Sequence, residues 1–212
     1  MNFEYSVIYS RRRSISVTIS SDNTVTVRCP KHTDVQRIEK FLSEKSDWIN
    51  KHLQNNAAKL EENSDIINGK AVLVGGERRT LVIGERNEIT AEAVKIKSVK
   101  HLKNLLVGTF GGQFFAKVKE ISDAIGLTPN GVSFRDYKSR WGCCNAKNQI
   151  VFNYKMLMLP EKVQIYVIIH ELCHIKQHNH SAAFYALVRR FMPDYKEAER
   201  ELKNYDFITR LY

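Results

Sequence analysis

Polar and apolar positions alternate at the start of the chain, most clearly through Ser14-Ile15-Ser16-Val17-Thr18-Ile19. This period of two, carried by β-branched residues, predicts strands over residues 3–9, 14–19 and Thr24–Cys29. Ser21-Asp22-Asn23 reads as the turn between the second and third, and Pro30 ends the third. The spacing then changes to three and four. Val35, Ile38, Phe41, Leu42, Trp48, Ile49 and Leu53 predict one helix from Thr33 or Asp34 to about Leu60. Glu61-Glu62-Asn63-Ser64-Asp65 is a polar break.

Short apolar runs return over residues 70–96, where Ala71–Val74 and Thr80–Ile83 are punctuated by Gly75-Gly76 and Gly84; they predict a second small β region. After Ser98 a helical stripe of Leu102, Leu105, Leu106, Phe110, Phe114, Val118 and Ile121 runs to about Ile125, weakened locally by Gly108, Gly111 and Gly112. Gly126 and Pro129 close it. Val132–Arg135 and Gln149–Phe152 read as strands joined through Ser139–Asn145. Pro160 precedes a further helix, another spans Ser181 to about Phe191, and Pro193 stops it. Asp194 with Glu197 has the form of a capping box for a last helix to about Asn204. The expected class is α+β. Residues 1–97 form an N-terminal β-rich domain with one long helix, and residues 98–212 a helical domain with a short antiparallel sheet.

Composition changes this picture little. Hydrophobic residues make up 43% and charged residues 26%, ordinary values for a globular protein. The formal charge of +10 fits an anionic partner or a solvated basic surface. Its densest clusters, Arg11-Arg12-Arg13 and Lys95, Lys97, Lys100 and Lys103, are not interleaved with aromatics as a single-strand binder requires. Cys29, Cys143, Cys144 and Cys173 form no CxxC pair. The N-terminus has no signal-sequence pattern, and no apolar run approaches a membrane span. A cytoplasmic protein is expected, with no membrane partner.

His170-Glu171-Leu172-Cys173-His174 supplies the candidate chemistry. Residues four apart share one face of a helix, so His170 and His174 can bind one ion together. Glu171 lies about 100° round the helix, within reach of a water on that ion without being a ligand. This is HExxH, the motif of zinc-dependent proteases. Its surroundings, Tyr166-Val167-Ile168-Ile169 and then Leu172, Cys173 and Ile175, are apolar, so the helix is buried and its polar groups need partners. A zinc site needs a third protein ligand, leaving the fourth position open to water. His178, His180 and an acid among Glu197, Glu199 and Glu201 are the candidates. His178 points away from an ion held between the first two histidines. His180 approaches it if the helix ends near Asn179, which suits a left-handed turn, with Ser181 as the next N-cap. We favour His180; the acid stays open because Glu197 begins a helix that can pack across the first.

Three motifs, Ser139-Arg140-Trp141-Gly142, Tyr166–His174 and Asn179-His180-Ser181-Ala182-Ala183-Phe184, together resemble the YgjP-like metallopeptidase family of the zincin superfamily, related to the SprT-like and WLM proteases. Pro193-Asp194-Tyr195, Arg12-Arg13-Ser14-Ile15 and Asp47-Trp48-Ile49 extend the resemblance over most of the chain. It implies that residues 98–212 are a minimal zincin-type catalytic domain, with His170, His174 and His180 as metal ligands and Glu171 as general base. One departure stands out: the family usually has Ser-Cys after Ser-Arg-Trp-Gly, where this chain has Cys143-Cys144.

The expected activity is zinc-dependent hydrolysis of a peptide or protein substrate, with Zn2+ as cofactor. Gln149–Asn153 or its hairpin partner is the expected edge strand for an extended substrate. Arg140, Trp141, Asn153 and Tyr195 complete the candidate substrate-binding set, Arg140 and Trp141 acting as cleft rim or structural clamp. Two alternatives remain. One is metal-dependent pyrophosphohydrolysis of a nucleotide, with Arg135, Lys138 and Arg140 holding phosphates, although no phosphate-cradling glycine loop is present. The other is a nucleic-acid-associated protein with a basic N-terminal binding module.

Overall fold

A computed structural model describes residues 3–20 and 22–212, and the chain divides into two compact units, Met1–Ser64 and Asp65–Tyr212. The alternating N-terminal segments form β1 (Ser6–Ser10), β2 (Ser16–Ile19) and β3 (Val25–Pro30), in the order β1-β3-β2. β3 pairs parallel with β1 and antiparallel with β2. The expected turn between β2 and β3 includes Ser21, which lies outside the described residues. Val25, Val27 and Cys29 point to a core completed by Ile38, Leu42 and Ile49.

The single helix expected over 34–60 is instead two, α1 (Val35–Glu44) and α2 (Ser46–Glu62). Lys45 leaves the helical conformation at φ −106°, ψ 5°, and its N–H turns back to Leu42 O at 3.2 Å. The bend lets Ile38 and Leu42 on one helix and Ile49 on the next reach the same core. A one-turn helix, α3 (Ser64–Ile67), follows at the join.

The second unit begins with β4 (Ala71–Val74), β5 (Glu77–Ile83), β6 (Glu88–Ile89) and β7 (Ala93–Ile96), in the order β4-β5-β7-β6. The sequence suggests a boundary at 97/98, but these strands belong to the later unit. Ala71–Val74, Leu81, Val94 and Ile96 enter one continuous core with Leu102, Leu106 and Phe114 of α4 (Leu102–Ile125). The glycines do not break α4. At Gly111 the helix faces Phe134 of the next sheet, 3.5 Å from where a Cβ would stand, an ordinary packing distance.

That sheet comprises β8 (Gly131–Arg135), β9 (Gly142–Cys144) and β10 (Gln149–Asn153), in the order β8-β10-β9. It is mixed rather than antiparallel: the segment after β8 crosses to the far side, so β10 pairs parallel with β8 and antiparallel with β9. Three helices complete the unit, α5 (Glu161–Cys173), α6 (Ala182–Phe191) and α7 (Tyr195–Leu202). The turn between β4 and β5 docks at the start of α5. Gly75 and Gly76 donate their N–H groups to Leu157 O (3.0 Å) and Met158 O (2.9 Å). Gly76 has φ +88°, and a Cβ there would lie 2.7 Å from Pro160 Cγ. Only glycine permits that approach.

The expected capping box on α7 does not form. Asp194 makes no side-chain cap, because its carboxylate and that of Glu197 both turn to Lys162 Nζ, at 3.4 and 2.9 Å. Among the described residues, no helix is long and apolar enough to cross a membrane.

Candidate metal centre

α5 is buried along most of its length, and its hydrogen-bonding pattern stops at Cys173 with His174 as the C-cap. The chain turns at once: Ile175 N–H bonds Leu172 O at 3.1 Å and Gln177 N–H bonds Cys173 O at 3.0 Å. Asn179 is not left-handed; the described non-glycine residues with positive φ are Asn23, Asn148 and Tyr212. The reversal therefore starts earlier than the sequence suggests, and a side chain fixes it. His174 Nδ1 lies 2.9 Å from Gln177 O, and against a carbonyl that nitrogen must be the N–H donor. The Nε2 lone pair of His174 is thereby left for another partner. Ser181 caps α6 as expected, accepting from Phe184 N–H.

This turn brings His180 back over α5, its Nε2 3.0 Å from His170 Nε2. One ligand atom from each of His170, His174 and His180 can be chosen so that all lie within 4.8 Å of one another. Phe184 is fully buried beneath them, with ring centroids 4.9, 4.5 and 4.9 Å from His170, His174 and His180. It stacks on His174 and meets the other two edge-on. Burial, then the neighbouring His174 and His180, pushes the pKa of His170 down to about 3, and burial also lowers that of His174. The ring nitrogens of His170 and His180 at this distance need a shared proton or a shared ion between them. Three histidine nitrogens of this spacing suit a divalent cation such as zinc.

Glu171 points from the same turn into the space beside β9. It is 6% exposed, and a Cβ on Gly142 would lie 2.8 Å from its Cγ and 2.9 Å from its Oε1. A hydrogen bond from the Cys144 backbone and the charge of Arg140 both favour its carboxylate form. Burial outweighs them and pushes the pKa up to about 8. Oε2 is buried without a hydrogen-bond partner. A buried carboxylate oxygen so placed is poised to meet a group entering the site.

His170, His174 and Glu171 open on a cavity of about 370 Å³ walled by Arg140, Trp141 and Tyr166. The other sequence candidates divide. Arg140 and Trp141 stand at this cavity, Arg140 also lying over the Tyr137 ring at 5.6 Å. Asn153 does not reach it: fully buried, it donates to Tyr137 O at 2.8 Å and Arg140 O at 3.0 Å and so clamps the loop behind the wall. Tyr195 is buried between the rings of Tyr166 and Tyr185, at 6.4 and 6.1 Å, and does not line the cavity. His178 lines it but is outside the three-histidine cluster. Among the acids, Glu197 holds Lys162 and Glu199 hydrogen-bonds Tyr166; no acid joins the cluster among the described residues.

The family described as YgjP-like, metallopeptidase domain, matches residues 13–205 of this chain. The chain belongs to the YgjP-like metallopeptidase family. Among solved structures, the crystal structure of the metallopeptidase zymogen of Pyrococcus abyssi abylysin is 26% identical, covering 42% of this chain and 90% of that one, with a TM-score of 0.39. No curated protein matches.

Several residues of this YgjP-like site escaped the sequence reading as parts of it. Phe184 underlies all three histidines, and its position four residues after His180 is the one signal of this in the sequence. Gly142 lies in the Ser139–Gly142 motif, and only the packed structure shows Glu171 filling the space its missing side chain leaves. Tyr166 precedes His170 by one turn and shares its face, a spacing that was legible but unused. Of the two expected edges, Gln149–Asn153 and its hairpin partner, the first is not an edge. β10 is the central strand of its sheet, and its partner β9 is the edge that packs beside α5.

Proposed function

We propose that this chain is a zinc-dependent peptidase in which His170, His174 and His180 hold the ion and Glu171 is the general base. The observation that carries this reading is the convergence of three histidine nitrogens beside the buried carboxyl group of Glu171, one of whose oxygens has no partner. Bound zinc would supply Lewis acidity, lowering the pKa of a water toward about 7. In its ionised form, which the charge of a neighbouring cation favours, Glu171 Oε2 takes a proton from the attacking water and later delivers it to the leaving amine. Burial around Glu171 strengthens that exchange by keeping bulk water from the carboxylate. Substrate lies extended along β9, whose outer side offers backbone groups unpaired within its sheet. Arg140 and Trp141 form the rim beside the scissile bond. The four free cysteines are in keeping with action in the reducing cytoplasm.

The test is an assay of the zinc-loaded protein on casein and on nucleoside triphosphates. Casein cleavage abolished by Glu171→Gln is the expected result. Phosphate release without peptide cleavage, equally abolished by Glu171→Gln, would replace the peptidase by a nucleotide hydrolase.

A further inference from the structure

Between β8 and β9 the chain runs through Asp136–Trp141 without regular structure, yet this segment builds the cavity wall and delivers Gly142 to Glu171. Irregular backbone can hold such a position only if its polar groups find partners elsewhere. Two groups supply them. Behind the loop stands Asn153, bonded to Tyr137 O and Arg140 O, with its own N–H on Trp141 O at 2.7 Å. On the other side lies the short helical turn Asp206–Arg210 near the C-terminus.

The contacts from that turn are specific. Asp206 Oδ1 accepts from the Trp141 indole N–H at 3.2 Å, across 65 positions of sequence. Thr209 Oγ1 shares its one proton between Asp206 O at 2.8 Å, within the turn, and Lys138 O at 3.2 Å, on the loop. Lys155, fully buried, joins the two parts: its ammonium donates to Thr209 O at 2.9 Å and pairs with Asp136 Oδ1 at 3.1 Å. A buried ammonium is costly without such partners, so these bonds hold both segments in one register. Of these groups the mechanism proposed above uses only Trp141.

We propose that Asp206–Arg210 is a positioning element of the substrate cavity, with Asp206 setting the indole of Trp141 and Thr209 and Lys155 fixing the loop that carries it. Asp206 does not itself line the cavity; it acts through Trp141. The kinetic part of this inference rests on the peptidase reading. The positioning part does not.

The test uses the full chain. Trp48 and Trp141 are its two tryptophans, so Trp48→Phe leaves Trp141 as the sole tryptophan, read by exciting at the red edge where tyrosine does not absorb. In that background Asp206→Ala shifts the emission to the red and increases quenching by iodide, and Asp206→Asn, which keeps an acceptor oxygen, restores both. In the zinc-loaded enzyme, on a quenched-fluorescent peptide taken from a casein cleavage site, Asp206→Ala raises KM about tenfold, as expected for loss of a hydrogen bond to a charged acceptor. Its kcat stays within about twofold, because the transition-state groups are untouched. Trp141→Phe gives a similar KM, and the double variant is no worse than either. Unchanged emission and KM in Asp206→Ala, or additive effects in the double variant, would overturn the proposal. Should Asp206→Ala not fold, a wild-type KM in Trp141→Phe overturns it equally. If wild-type protein cleaves no casein, the peptidase reading fails, and the Trp141 emission still decides the positioning role.

Discussion

Gly142 and Glu171 compete for one space: the Cβ that glycine lacks would stand 2.8 Å from Glu171 Cγ and 3.0 Å from its Cδ. The contact is with the near part of the side chain, which has little freedom to yield on a buried helix. Gly142→Ala should therefore displace the carboxylate, lower kcat about 100-fold or more, and cost about 1–3 kcal/mol of stability through overpacking. Bound metal should stay near wild type, because Glu171 is outside the three-histidine cluster. Rate, denaturant midpoint and metal content on one preparation check all three.

Glu171→Gln keeps the shape and removes the base. The expected loss in kcat is about 10²- to 10⁴-fold, with metal stoichiometry unchanged because Glu171 is outside the three-histidine cluster. Metal loss in this variant, measured by elemental analysis, would make Glu171 a ligand instead.

Phe184 supports all three imidazoles from below. Phe184→Leu should preserve the fold yet weaken metal affinity about 10- to 100-fold, the range for altered support of ligands. Phe184→Ala should also cost about 3–5 kcal/mol, as for other buried phenylalanines. A competitive chelator titration separates the affinity effect from the stability effect, which is read by urea unfolding.

What the sequence disclosed was local. His170 and His174 share a face because the helix repeat requires it, and His180 lay within reach once Ser181 marked the next N-cap. What it hid depends on partners distant in sequence. Asp194 and Glu197 have the spacing of a capping box, but Lys162 takes both carboxylates. β10 looked like an edge until β8 and β9 closed on both its sides. The helix end at His174 follows from one imidazole meeting Gln177 O, and no spacing rule contains that bond. Lys45 looked like one more helical position; only the shared core of Ile38, Leu42 and Ile49 shows why the helix bends there.

The two units have separate apolar cores, one of Val25, Val27, Cys29, Ile38, Leu42 and Ile49 and the other beginning at Ile66. A chain of residues 65–212 should fold cooperatively alone and bind one metal ion with close to full-length affinity. Calorimetry and metal titration of that fragment check this; a fragment without a melting transition would show that the second core depends on the first unit.

The central claim is that His180, rather than His178 or an acid, completes the metal centre. Metal content of His180→Ala beside His178→Ala, after dialysis against a weak chelator, tests it most directly. Both residues line the same cavity, but His180 Nε2 lies 3.0 Å from His170 Nε2 and His178 is outside the cluster. The account predicts about one zinc per chain in His178→Ala and little in His180→Ala. Full zinc retention in His180→Ala would contradict it.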